Sequence, residues 1–167
     1  MKCHEAASLL WGLLSSYRPF FSKKNNIPLK DIACSFVLLK RGTWGTLDEI
    51  LGACERIIEG GNTNLAICLR GVVGMPSYRH IFPSTRWAPD LMMIPALKEF
   101  TNIPIIYDPS HATGYRDFVL PISKAAMALE VDGLIVECHP DPENSISDPD
   151  QAITFQTLEE INNLFEQ

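Results

Sequence analysis

The sequence predicts an α/β fold built from parallel βα repeats, preceded by an extra N-terminal helix. Three observations carry this. Four short apolar or β-branched runs each give way to a helix-forming stretch. The runs begin at residues 35, 64, 104 and 133, the spacing of βαβ units. Each run breaks at its C-terminal end into charged or polar residues, which is where parallel α/β proteins gather their chemistry.

The elements follow in order. Residues 1–30 differ in character from the rest and form one unit, an N-terminal helix and loop; residues 31–167 form the second. Leu9, Leu10, Trp11, Leu13 and Leu14 predict a short helix within Ala6–Leu14, followed by a loop through Ser22-Lys23-Lys24-Asn25-Asn26. Lys2 precedes that helix, but so does Glu5, and no small-residue cleavage site follows. It therefore reads as an amphipathic surface helix rather than a leader. Beyond Ala33, strands are expected at Ser35–Leu39, Asn64–Cys68, Pro104–Tyr107 and Gly133–Val136. Helices are expected at Leu47–Glu59, Leu91–Phe100, Asp117–Glu130 and Leu158–Phe165. Thr46 with Glu49 makes a capping box for the first of these, and Gly60-Gly61 ends it. Thr157 with Glu160 repeats the pattern at the last. With right-handed crossovers, the four units form either a small open sheet with helices on both faces or half of an eight-fold barrel.

Composition sets limits. The 167 residues, 46% hydrophobic and 20% charged, suffice for a domain with its own core. A net charge of −6 argues against a general nucleic-acid binder, which would carry a basic face. No apolar run approaches the roughly 20 residues of a membrane helix. The five cysteines, Cys3, Cys34, Cys54, Cys68 and Cys138, are odd in number, widely spaced and form no C-x-x-C pair. They read as reduced thiols of a cytoplasmic protein.

The strand ends carry the candidate chemistry. The first strand runs into Lys40-Arg41-Gly42 and the second into Arg70-Gly71. Cations at two equivalent positions suit an anionic ligand: an arginine offers phosphate a fork, a lysine a compact charge. The third strand ends Asp108-Pro109-Ser110-His111-Ala112-Thr113-Gly114, and the fourth ends Glu137-Cys138-His139-Pro140-Asp141-Pro142. His111 and Glu137 thus come to one end of the sheet, and the loop bearing Asp148 is long enough to fold back over it. A histidine nitrogen with two carboxylates suits Mn²⁺, Fe²⁺, Co²⁺ or Zn²⁺. His139 and Asp141 are spare candidates. Taken singly, each of these residues is as readily a strand-end charge, a structural histidine or a loop acid.

Residues 32–166 resemble the C-terminal half of the 3-deoxy-D-arabino-heptulosonate 7-phosphate (DAHP) synthases and the related 3-deoxy-D-manno-octulosonate 8-phosphate synthases. The matching runs are Val37-Leu38-Leu39-Lys40-Arg41-Gly42, Cys68-Leu69-Arg70-Gly71, Thr85-Arg86 through Asp90-Leu91, Asp108 to Gly114, Asp132 to Pro142, and Ser147-Asp148 through Gln151. The resemblance implies four units of a (β/α)₈ (TIM) barrel. It implies an enzyme that condenses phosphoenolpyruvate with erythrose 4-phosphate, the entry step to aromatic amino acids, or with arabinose 5-phosphate in the octulosonate branch. It further implies that Lys40 and Arg70, with Arg41 beside them, hold phosphoenolpyruvate, and that Arg86 lies toward the aldose phosphate. His111, Glu137 and Asp148 would be divalent-metal ligands, and Lys40 and His111 would have catalytic roles.

Departures accompany the match. The family's Gly-Pro-Cys-Ser, whose cysteine is a fourth metal ligand, its Lys-Pro-Arg-Thr-Ser and its Gly-Ala-Arg-Asn-like segment are not among these residues, and Cys3 is not at a strand end. Leu69 stands where the family has an acid, Arg86-Trp87-Ala88-Pro89-Asp90 lacks the family's asparagine, and Pro149 replaces a glycine. The resulting expectation is an enzyme-like half barrel, impaired alone, that forms a homodimer or pairs with the missing half. The rival expectation is a non-catalytic fragment that binds a phosphorylated metabolite or a partner.

Overall fold

The computed structural model describes residues 36–74, 81–82 and 84–165. The expected helix at Ala6–Leu14, the unit 1–30, and Cys3 and Cys34 lie outside them. Four strands, β1 (Val37–Lys40), β2 (Leu65–Leu69), β3 (Ile105–Tyr107) and β4 (Gly133–Leu134), form one sheet in the order β1-β2-β3-β4. Every pairing is parallel, with Lys40 opposite Cys68, Leu69 opposite Tyr107, and Tyr107 opposite Leu134. The helices are α1 (Leu47–Glu59), α2 (Met93–Lys98), α3 (Pro109–Thr113), α4 (Arg116–Ala128) and α5 (Phe155–Phe165), with a 3₁₀ turn at Pro142–Asn144. Among the described residues, no helix is long and apolar enough to cross a membrane.

An unbroken strand order decides between the two expected architectures. Right-handed crossovers that always step to the next strand leave every helix on one side of the sheet. The core shows this. Leu39, Leu65, Ile67, Leu69, Ile105 and Tyr107 point to one face, where they bury Ile50, Cys54 and Ile57 of α1, Ile94 and Leu97 of α2, and Ala126 of α4. The alternate residues Leu38, Ala66 and Cys68 form a separate cluster with Ile106 and Ile135, made of sheet residues alone. This is the arrangement of an arc of a barrel, not of a sheet with helices on both faces.

Local chemistry fixes the boundaries. Helix α1 has the expected limits because both halves of its capping box form: the Glu49 amide donates to Thr46 Oγ1 at 3.2 Å, and the Thr46 amide donates to Glu49 Oε2 at 2.9 Å. Gly61, at φ 93°, then turns the chain out. Helix α4 stops at Ala128, short of the expected Glu130, since Glu130 itself adopts φ 58°. Helix α5 begins three residues earlier than expected. Its cap is Thr154, whose Oγ1 accepts from the Thr157 amide at 3.2 Å, so Thr157 lies within the first turn. Strand β4 is shorter than Gly133–Val136. The Ile135 amide still donates to Tyr107 O, but the Glu137 amide turns to Ser110 Oγ at 3.0 Å and the chain beyond it bridges to Ile153.

Candidate functional site

The residues that close β3 build the centre of the site. Asp108 ends the strand and caps α3, with its Oδ1 accepting from the His111 amide at 3.0 Å. Pro109 takes the first helical position, where its missing N–H costs nothing, and Gly114 closes the helix in the left-handed conformation. This one-turn helix was not anticipated, although an N-cap aspartate, an N1 proline and a C′ glycine within seven residues are its local signals. It brings the His111 ring over Asp108, with Nδ1 2.9 Å from Oδ2 and 3.1 Å from Oδ1. The opposite ring nitrogen, Nε2, lies 3.2 Å from Glu137 Oε1.

Glu137 is fixed from both ends. Its amide is held by Ser110, and its Oε2 accepts from the buried Gln151 Nε2 at 2.8 Å. Gln151 belongs to the loop that carries Asp148. There Arg116 donates from Nε to Ala152 O and from its terminal nitrogen to Pro149 O, both at 2.8 Å, while its amide donates to Asp150 O. Asp148 sits at φ 45°, in the left-handed region, although Pro149 follows it. Residues before proline are normally pushed to extended conformations, so the Arg116 ties hold a backbone that the local sequence disfavours. The result is that His111, Glu137 and Asp148 each offer one ligand atom, all within 4.8 Å of one another.

Lys40 and Arg86 border this group, and Arg41 and Arg70 follow the ends of β1 and β2. Lys40 Nζ lies 3.4 Å from Asp108 Oδ2 at the end of β1. Arg70, one residue past β2, is half-buried, and its Nε finds no acceptor among the described residues. Arg86 forms a 2.5 Å ion pair with Asp148 Oδ1. Its backbone is seated by donation to Thr113 O and by Gly114, where an added Cβ would lie 2.5 Å from Ser84 O and 2.9 Å from Arg86 Cγ. Arg41 is buried, with NH1 2.5 Å from Asp90 and Nε donating to Gly45 O at 2.8 Å, so two of its nitrogens are engaged within the scaffold.

The spare candidates turn elsewhere. The Asp141 amide donates to His139 Nδ1 at 3.1 Å, and Asn144 donates to the Asp141 carboxylate, closing an exposed turn around the 3₁₀ segment. Neither residue belongs to the three-ligand group. The residues given no role from sequence are the supporting ones: Asp108 and Ser110, though their run was noted, with Gln151 and Arg116.

Electrostatics follow the geometry. The hydrogen bond to Asp108 raises the His111 pKa, with Asp108 and Glu137 adding charge attraction against the cost of burial. Burial pushes Glu137 up, offset in part by the Gln151 hydrogen bond and by His111. Cys68, beneath Lys40 and Arg70 on the inner face, is pushed up to about 12 by burial and by Asp108.

The donor set fits a divalent cation. An imidazole whose Nδ1 is held by a buried carboxylate presents Nε2 outward, as metal-binding histidines do. Two carboxylates beside it supply charge and oxygen donors of the kind favoured by Mn²⁺, Fe²⁺, Co²⁺ and Zn²⁺.

Comparison with known proteins identifies the family. Residues 32–167 match the DAHP synthetase I family. The chain is 40% identical over 125 residues to the phospho-2-dehydro-3-deoxyheptonate aldolase of Thermotoga maritima, covering 75% of this chain and 35% of that protein. It is 28% identical over 136 residues to the 2-dehydro-3-deoxyphosphooctonate aldolase of Desulfotalea psychrophila, covering 75% of this chain and 45% of that one. Among solved structures, a truncated form of the Thermotoga maritima 3-deoxy-D-arabino-heptulosonate 7-phosphate synthase superposes with a TM-score of 0.74 at 36% identity, covering 83% of this chain and 51% of that one. The chain therefore spans about half, or less, of the length of these relatives. With most of its length matched in order, and with parallel strands that bring the matched residues to one end of the sheet, the chain belongs to the DAHP synthetase I family.

Proposed function

We propose that residues 36–165 supply the metal-binding and phosphoenolpyruvate-binding part of a site that condenses phosphoenolpyruvate with erythrose 4-phosphate and releases phosphate. The observation that carries this is the convergence of His111, Glu137 and Asp148 within 4.8 Å, flanked by Lys40 and Arg70 at the same strand ends. The 40% identity to a heptonate aldolase, against 28% to an octonate aldolase, favours the four-carbon aldose phosphate.

His111, Glu137 and Asp148 would hold the divalent cation, which when bound supplies Lewis acidity toward an aldehyde or a water. The protein's own residues do the rest. Asp108 keeps the His111 proton on Nδ1 and so keeps the Nε2 lone pair toward the ligand group. Lys40 and Arg70 neutralise the phosphate and carboxylate of phosphoenolpyruvate; the buried Arg70 Nε has no acceptor among the described residues. Arg41, held inside by Asp90, adds positive charge behind Lys40. Arg86 faces the aldose phosphate. The half of the family's pocket that is not among these residues, supplied by another chain or by a second copy of this one in a homodimer, completes the pocket.

The test follows phosphoenolpyruvate loss with Mn²⁺ and erythrose 4-phosphate, against a His111→Ala control. Loss that needs both the aldose and His111 supports the enzyme. His111-dependent Mn²⁺ binding without turnover supports the rival, a module that keeps the binding half of the site. Loss that survives His111→Ala removes the assigned metal site from the reaction.

A further inference from the structure

The Arg86–Asp148 ion pair joins two groups with separate expected partners. Asp148 belongs to the three-ligand cation group, and Arg86, its ion-pair partner, is the cation proposed above to face the aldose phosphate. Both sit on backbones that leave them little room to drift apart. The Arg86 amide is tied to Thr113 O, and the Gly114 contact leaves no space beneath its side chain. The Asp148 carbonyl accepts from the amides of Gln151 and Ala152, each at 3.2 Å, and Arg116 clamps the following turn. The side chains themselves are part-exposed, 40% for Arg86 and 29% for Asp148, so solvent anions and cations reach both. Glu137 is coupled to the same loop through Gln151.

We infer that Arg86 acts as a resident counter-cation of Asp148, so that a divalent cation at His111, Glu137 and Asp148 and a phosphate-type dianion at Arg86 each strengthen the binding of the other. This rests on the metal-site and Arg86 readings above. Without metal, Arg86 neutralises Asp148, and Asp148 occupies the guanidinium edge that an anion would use. A metal that takes the Asp148 charge weakens its hold on Arg86 and releases that edge. An anion that takes Arg86 removes the cation competing for Asp148. Linkage requires the two effects to be equal. Pairing one carboxylate with two exchangeable cations thus couples the two subsites, each filling more readily when the other is filled.

The experiment measures Mn²⁺ affinity by titration, with free Mn²⁺ read from its paramagnetic resonance signal. Sulfate serves as the dianion probe, since it mimics a phosphate monoester without precipitating the metal. Wild type, Arg86→Gln and His111→Ala are compared. Sulfate should tighten Mn²⁺ binding in wild type by on the order of tenfold, within the usual range for coupled sites. Arg86→Gln should bind Mn²⁺ at least as tightly as wild type without sulfate, and should lose most of the sulfate effect. Sulfate tightening that persists in Arg86→Gln overturns the inference, because the anion then acts through Lys40 or Arg70. Weaker Mn²⁺ binding by Arg86→Gln without sulfate also overturns it, because Arg86 would then be orienting Asp148 rather than competing for it. Both outcomes leave the metal-site reading standing. Mn²⁺ binding that is absent, or unchanged in His111→Ala, overturns the two together.

Discussion

Asp108 holds His111 at two points, the backbone amide at 3.0 Å and the ring Nδ1 at 2.9 Å, and so sets both where the helix starts and which ring nitrogen faces Glu137. The carboxylate is almost wholly buried and also pairs with Lys40. Asp108→Asn keeps the shape and an acceptor but loses the charge. It should weaken Mn²⁺ binding by about 10- to 100-fold, the usual effect of removing a carboxylate behind a ligating histidine. Asp108→Ala should lose that affinity and about 1–3 kcal/mol of stability as well, since the cap and the ring partner vanish together. Calorimetric titration and denaturant melts separate the two effects. An Asp108→Asn protein with unchanged affinity would show that the His111 orientation is set elsewhere.

The same pair gives the metal-free protein a pH dependence of fixed sign. The folded-state pKa of His111 is raised above 6.5 by Asp108, so the protonated ring stabilises the fold. That contribution is fully present below the unfolded value and fades as pH rises through the higher folded one. Glu137 has the same sign, since burial raises it too. The stability difference between wild type and His111→Gln should therefore be larger at about pH 5.5 than at about pH 8.5. Mn²⁺ needs the neutral ring and should reverse the trend. Urea melts at the two pH values check this, and a difference that stays flat without metal rules it out.

Much of this was legible because it is local or repetitive. Helix α1 is written in Thr46, Glu49 and Gly60-Gly61, and the four strands in their spacing. The strand-end positions of Lys40, Arg70, His111 and Glu137 follow from parallel pairing alone. What sequence did not disclose depends on contacts across the chain. Gln151 reaches Glu137 over 14 positions, and Arg116 reaches Pro149 over 33. No periodicity marks either. Arg41 adjoins Lys40, but it turns to Gly45 and to Asp90, a partner 49 positions away that no local signal marks. Helix α3 was hidden for another reason: five residues are too few to show a helical repeat, so only its caps announce it.

The cysteines should separate by access and acidity. Burial raises Cys54 to about 11, with Glu55 adding to it, and raises Cys68 to about 12. Both remain thiols near pH 8 and are shielded from reagents. Cys138 is only half-buried. Alkylation with iodoacetamide, read residue by residue from peptide masses, should modify Cys138 well before Cys54 or Cys68, whose labelling should await unfolding. Cys68 labelled as fast as Cys138 would mean that the inner face of the sheet is open to solvent.

Three glycines in three environments test how the backbone positions Arg86. Gly52 lies in helix α1 with nothing within 4 Å of an added Cβ, so Gly52→Ala should stabilise by about 0.5–1 kcal/mol through helix propensity and a less flexible unfolded chain. Gly61 has φ 93° but open space around it, so Gly61→Ala should cost about 1 kcal/mol from backbone strain alone. Gly114 combines φ 65° with a Cβ position 2.5 Å from Ser84 O and 2.9 Å from Arg86 Cγ. A carbonyl on a packed backbone cannot swing aside as a side chain does. Gly114→Ala should therefore cost more than Gly61→Ala, about 2–4 kcal/mol. It should also displace the segment bearing Arg86, and with it the contact to Asp148. Urea melts of the three variants give the order Gly52→Ala above wild type, then Gly61→Ala, then Gly114→Ala. If Gly114→Ala were no worse than Gly61→Ala, the close approach of residues 84–86 to helix α3 would not be what seats Arg86.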